Sequence, residues 1–165
     1  MSETPEPRLR PTNPATLFVV ALAAAAVAWV LIGEFYGQVP QLTPLPALTL
    51  LILAVLEGLA ARALKARIER RPGSEPVEPL AVARFVLLAK ASSVAGALFT
   101  GLYSGVLVWV WAASSRNQHA AEDLSPAALG FGAALLLVAA ALWLESNCRI
   151  PKPPDDREDQ IPRDR

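Results

Sequence analysis

Four stretches without a single charged residue set the frame for this chain: residues 11–33, 35–56, 91–115 and 124–144. An α-helix rises 1.5 Å per residue, so about 20 apolar residues cross the roughly 30 Å hydrocarbon core of a bilayer. Each stretch reaches or approaches that length. A soluble bundle would need a polar face on every helix, and these stretches lack one. The expectation is an all-α fold, an integral membrane four-helix bundle. Its spans are read as 14–35, 46–68, 80–112 and 126–146 within a domain at 13–147. An N-terminal tail (1–12) and a Pro- and charge-rich tail at 148–165, expected to be disordered, flank it.

Charge and cysteine content remove other classes. The 165 residues hold 15 Lys and Arg against 15 Asp and Glu. Such a balance gives no electrostatic footprint for nucleic acid. A lone Cys148 forms no disulfide within the chain.

Local signals mark the helix ends. Asn13-Pro14 and Ser125-Pro126 each set an N-cap side chain before a proline suited to the first helical position. Pro46 opens the second helix similarly, and Glu78-Pro79 the third. Pro72-Gly73 stops the extension of the second helix, since proline cannot continue the hydrogen-bond ladder.

Basic residues set the orientation expected. Of the 15 Lys and Arg, 14 fall in the N-terminal tail, the loop between the second and third helices with its flanks, or the C-terminal tail; Arg116 alone lies opposite. The positive-inside rule then makes both termini and the middle loop cytosolic in a multi-pass cell-membrane protein. Trp29, Phe35, Tyr36, Trp109 and Trp111 sit towards the outer helix ends and Trp143 near an inner one, as interfacial aromatics do. The first helix also fits a secretory signal with Ala26-Val27-Ala28 as cleavage site. Against that, the apolar run continues through Ile32, so the helix is read as retained.

The third helix carries two adjacent stripes of small residues. Positions 89, 93, 97, 101 and 105 are Ala, Ser, Ala, Gly and Gly, and positions 92, 96, 100 and 104 are Ser, Gly, Thr and Ser. In lipid, helices associate by close backbone approach, which small residues at four-residue spacing permit. Ser93, Gly96, Ala97, Gly101 and Gly105 are therefore expected packing residues of a central helix with two neighbours. Helix two offers a matching face in Ala54, Glu57, Gly58, Ala61 and Lys65.

Glu57 and Lys90 are the charges set deepest. Glu57 precedes Arg62 by five residues, about 7.5 Å along the helix, and Lys90 follows Arg84 by six, about 9 Å. With helices two and three as antiparallel neighbours, these depths nearly match, and an intramembrane ion pair is expected. It would register the two helices, or serve a proton or ion pathway. Arg62, Lys65, Arg67, Arg70, Arg71 and Arg84 are expected to contact anionic lipid headgroups or an acidic partner. His119 lacks companions for a metal site, and no nucleophile stands in a catalytic context. No catalytic, cofactor or metal residue is assigned.

Several segments resemble a known family. They are Arg10-Pro11-Thr12, the segment from Glu57 through Ala61-Arg62 to Arg67, Arg71-Pro72-Gly73, residues 79–84 (Pro-Leu-Ala-Val-Ala-Arg), Ala89-Lys90-Ala91 and Gly96-Ala97-Leu98. Together they resemble the actinobacterial domain-of-unknown-function family 3180, over roughly residues 10–144. The resemblance implies four membrane helices, a plasma-membrane location and no assigned activity. It also implies frequent gene neighbourhood with folate biosynthesis, and it supplies no catalytic residue. The expected role is a non-catalytic accessory or scaffold protein, with a membrane-protein partner or a second copy packed on the spare stripe of helix three. The alternative is a small homo-oligomeric transporter or proton-coupled channel using Glu57 and Lys90. A dry, close-packed environment around that pair favours the first; a wet cleft favours the second.

Overall fold

The computed structural model describes residues 12–38, 40–68 and 79–148. They form four helices: α1 (Pro14–Phe35), α2 (Leu45–Ile68), α3 (Pro79–Ala113) and α4 (Gln118–Asn147), with one 3₁₀ turn, Tyr36–Gln38, after α1. All four are long and apolar enough to cross a membrane. At the start of α1 the Asn13 carboxamide accepts the Ala15 N–H at 3.0 Å, and Pro14 fills the first helical position, where its missing N–H costs nothing.

The start of α4 differs from the sequence expectation. The helix begins at Gln118, eight residues before Pro126, which lies inside it. Asn117 is the cap, accepting the His119 N–H at 3.0 Å. Residues 118–124 contain no helix breaker, so the earlier cap wins. Proline deep in a helix is tolerated where neighbouring helices support it. Pro72-Gly73 and the C-terminal tail lie outside the described residues.

The helices are joined by contact in the order α1–α3–α4–α2. Gly101 of α3 backs onto Ala21 and Ala24, and Gly105 onto Ala25 and Ala28, so α1 and α3 run parallel. Leu50 and Ala54 of α2 cluster with Ala133, Ala134 and Leu137 of α4, and further along Ala61 and Leu64 cluster with Leu144 and Cys148. That pair is parallel too. Gly96 meets Val138 while Gly130 meets Tyr103, which makes α3 and α4 antiparallel. Thus α2 does not lie along α3, as the connecting loop suggests; it packs along α4 and reaches α3 only towards its basic end, where Ala61 and Leu64 share a cluster with Ala89.

Buried positions on α2 are 47, 50, 54, 57, 61 and 64, and on α4 they include 120, 123, 127, 130, 134, 137, 141 and 144, with 148 just beyond its end. Steps alternating between three and four give a period of 3.5, the pattern of left-handed supercoiling. Alanine is the commonest interior residue, followed by leucine and glycine. Large apolar side chains face outward on every helix, with Phe18 64% and Trp111 70% exposed. In water each such side chain would forgo about 1.5–3 kcal/mol of burial.

Candidate functional site

The two small-residue stripes of α3 face different helices. A Cβ at Gly101 or Gly105 would overlap the carbonyl oxygens of Ala21 and Ala25, so α1 touches the α3 backbone there. Gly96 is filled by Val138, and Gly130 by the Tyr103 ring. Ala97 and Ser93 are buried alongside. No stripe of α3 is spare for a second copy, because α1 and α4 occupy both. Three hydroxyls of α3 turn back on their own helix: Ser93 donates to the Lys90 carbonyl at 2.9 Å, Thr100 to Gly96 at 2.7 Å and Ser104 to Gly101 at 2.8 Å. Each is satisfied without a partner helix or water.

Glu57 lies on the buried stripe of α2 and is 2% exposed. Ser92 of α3 approaches its carboxyl. Neither carboxyl oxygen completes a hydrogen bond to any described residue. No hydrogen bond therefore joins it to Lys90, the ion-pair partner that matching depth suggests. The buried face of α2 packs mainly on α4, and at Glu57 it also meets α3 through Ser92. Lys90 is half-buried and is not without an interaction of its own. Glu57 and Lys90 line neither the groove between α2 and α4 nor the clefts at the opposite end of the bundle.

That groove is apolar and runs along the exposed side of the α2/α4 contact. One half, about 480 Å³, extends from Pro44 and Leu45 to Leu51 on α2, and from Ala128 to Leu136 on α4. The other, about 420 Å³, continues from Leu51 through Gly58 on α2, and from Leu136 to Trp143 on α4. Gly132 and Gly58 belong to the two halves respectively, and a Cβ on either would meet nothing within 4 Å. At the basic end the Arg62 guanidinium carbon stands 5.8 Å from the centroid of the Trp143 ring, within cation–π range. Arg62, Lys65 and Arg84 are exposed. The side chain of Arg67, and all of Arg70 and Arg71, lie outside what the structure describes.

The opposite end holds a polar cluster that sequence reasoning missed. Asp123, 5% exposed, accepts the Tyr36 hydroxyl at 2.8 Å and the Leu42 N–H at 3.0 Å. Glu122 accepts from Gln41 at 2.9 Å and lies 3.9 Å from His119. The Tyr36 ring packs on Trp109 with centroids 4.3 Å apart. These contacts pin the α1–α2 connection across the start of α4, beside a cleft of about 240 Å³. The signal available was position: 123 falls on the 120, 123, 127, 130 stripe that α4 buries. At the basic end Glu145 accepts the Thr12 N–H at 2.8 Å. Cys148, beyond α4, is buried; that burial, and then the Glu145 charge, push its thiol pKa up, opposite to an activated nucleophile. Among the described residues no three His, Cys, Asp or Glu side chains are grouped to hold a metal ion.

These features define an all-helical protein of four long apolar helices whose interior is closed by small residues. A family model described as "Protein of unknown function (DUF3180)" matches residues 17–152. The chain belongs to that family. No curated protein and no solved structure matches it.

Proposed function

We propose that the chain is an integral plasma-membrane protein with cytosolic termini, acting as a non-catalytic accessory or scaffold protein through helix packing in the bilayer. The outward-facing large apolar side chains and the one-sided distribution of Lys and Arg support the placement. The observation that carries the role is the contrast among glycines. Gly96, Gly101, Gly105 and Gly130 are closed by the chain's own neighbours, whereas Gly132 opens onto the apolar groove. Glycine in a helix interior costs about 1 kcal/mol relative to alanine. An unfilled one on a lipid-facing groove is suited to close approach by another membrane helix, which crosses at an angle and so touches only near the crossing point. The self-satisfied hydroxyls of Ser93, Thr100 and Ser104 argue for a packed body over a polar pathway.

Crosslinking in native membranes, followed by mild extraction and mass spectrometry, tests this reading. A defined membrane partner is expected, lost on Gly132→Leu while the abundance of the chain is unchanged. Recovery of self-crosslinked chains alone would shift the weight to a homo-oligomer.

One observation favours a second reading. Glu57 is a buried carboxyl without a hydrogen-bond partner among the described residues, and ionisable groups inside membranes are by default functional hypotheses. A proton-coupled carrier predicts proton flux into proteoliposomes that Glu57→Gln abolishes. No flux above protein-free vesicles removes it.

A further inference from the structure

We propose that the basic-end half of the α2/α4 groove binds one anionic phospholipid of the cytosolic leaflet, its acyl chain over Gly58 and its phosphate on Arg62. The inference rests on the membrane placement above and adds a defined ligand to it. Leu51, Val55, Gly58 and Arg62 follow one another at four, three and four residues, so they lie on one face of α2. The first three line this half of the groove. Arg62 continues the same face one turn beyond Gly58, its guanidinium carbon 5.8 Å from the ring centroid of Trp143, the last lining residue of α4. A guanidinium within cation–π range of an aromatic ring can still offer N–H donors for the bidentate hydrogen bonds that phosphate accepts.

Length and charge choose the occupant. From Leu51 to Arg62 the face extends about 16 Å, close to half of the roughly 30 Å hydrocarbon thickness. That is the reach of an acyl chain within one leaflet. The half starting at Pro44 and Leu45 has no cation among its lining residues, so the basic-end half is the one that offers an anion a partner. The space over Gly58 is open, since a methyl group added there would meet nothing within 4 Å. A lipid chain fills such space without a stereospecific fit, and Trp143 sits where interfacial tryptophan is favoured.

The test uses the full chain purified in mild detergent, titrated with phosphatidylglycerol or phosphatidylcholine of identical acyl chains, and read by native mass spectrometry. The wild type is expected to retain one phosphatidylglycerol with a roughly fivefold to tenfold preference over phosphatidylcholine. Arg62→Gln should reduce that preference to parity. Gly58→Leu should lose both lipids, and Gly132→Leu should change neither. Retained preference in Arg62→Gln, or retained lipid in Gly58→Leu, overturns the proposal. So does a Gly58→Cys variant that crosslinks to another chain in native membranes, since a protein then occupies the groove. A chain that stays monodisperse after detergent removal refutes the membrane placement itself, an outcome visible before any lipid is counted.

Discussion

Gly101 and Gly132 are the same residue type on neighbouring helices, and their surroundings give them opposite sensitivities. At Gly101 an added methyl meets the Ala21 carbonyl, part of a rigid helix backbone, and α1 must move away. Overpacking of this kind costs about 1–3 kcal/mol. At Gly132 the same methyl enters open space, and the gain in helix propensity is up to about 1 kcal/mol. Gly101→Ala is therefore expected to lower the melting temperature of the detergent-solubilised protein, and Gly132→Ala to leave it equal or higher. Intrinsic fluorescence of Trp109, close to the α1/α3 contact, offers one readout. If both variants shift the melting temperature alike, the close packing of α1 on α3 is wrong.

At the scale of elements, the latch at Asp123 joins the loop between α1 and α2 to a helix that follows both in the chain. One carboxylate takes a hydroxyl and a backbone N–H from that segment. Removing it leaves two donors partly buried, a loss of about 1–3 kcal/mol for each donor left unsatisfied. Asp123→Ala is expected to lower stability and to make the 40–44 segment sensitive to protease. Asp123→Asn keeps one acceptor oxygen and should fall between. Equal protease sensitivity in the wild type and Asp123→Ala would remove the latch. Four helices could be read from the sequence because runs without charge have few alternatives in length and solvent. Their adjacency could not. Short connections usually join antiparallel neighbours, but here α1 and α2 sit at opposite ends of the contact order and their connection is tied across α4. The small residues of α2 identify a packing face without naming the helix it meets, so its main contact with α4 was not legible. Asp123 was counted as a loop charge because Pro126 drew the helix start past it, hiding its place on the buried stripe.

For the whole molecule, the decisive quantity is which side of the membrane each end faces. In the proposed membrane placement, four helices in alternation put the Asp123 cluster on one side and Arg62, Arg84 and Glu145 on the other. Lys and Arg near the ends of membrane helices resist translocation, whereas Asp and Glu contribute little to orientation. With 14 of the 15 basic residues on one side, reversal would carry the α2–α3 loop and both tails across the membrane against that bias. In a Cys148→Ser background, cysteine at Gln41 is expected to react in intact cells with a membrane-impermeant maleimide. Cysteine at Arg84 should react only after the membrane is opened. Both positions are exposed, so burial does not mask either result. The opposite pattern would invert the topology and move the Arg62 lipid site to the outer leaflet. Labelling at both positions in intact cells would mean that the four helices do not all span, and the packed-body reading would lose its frame.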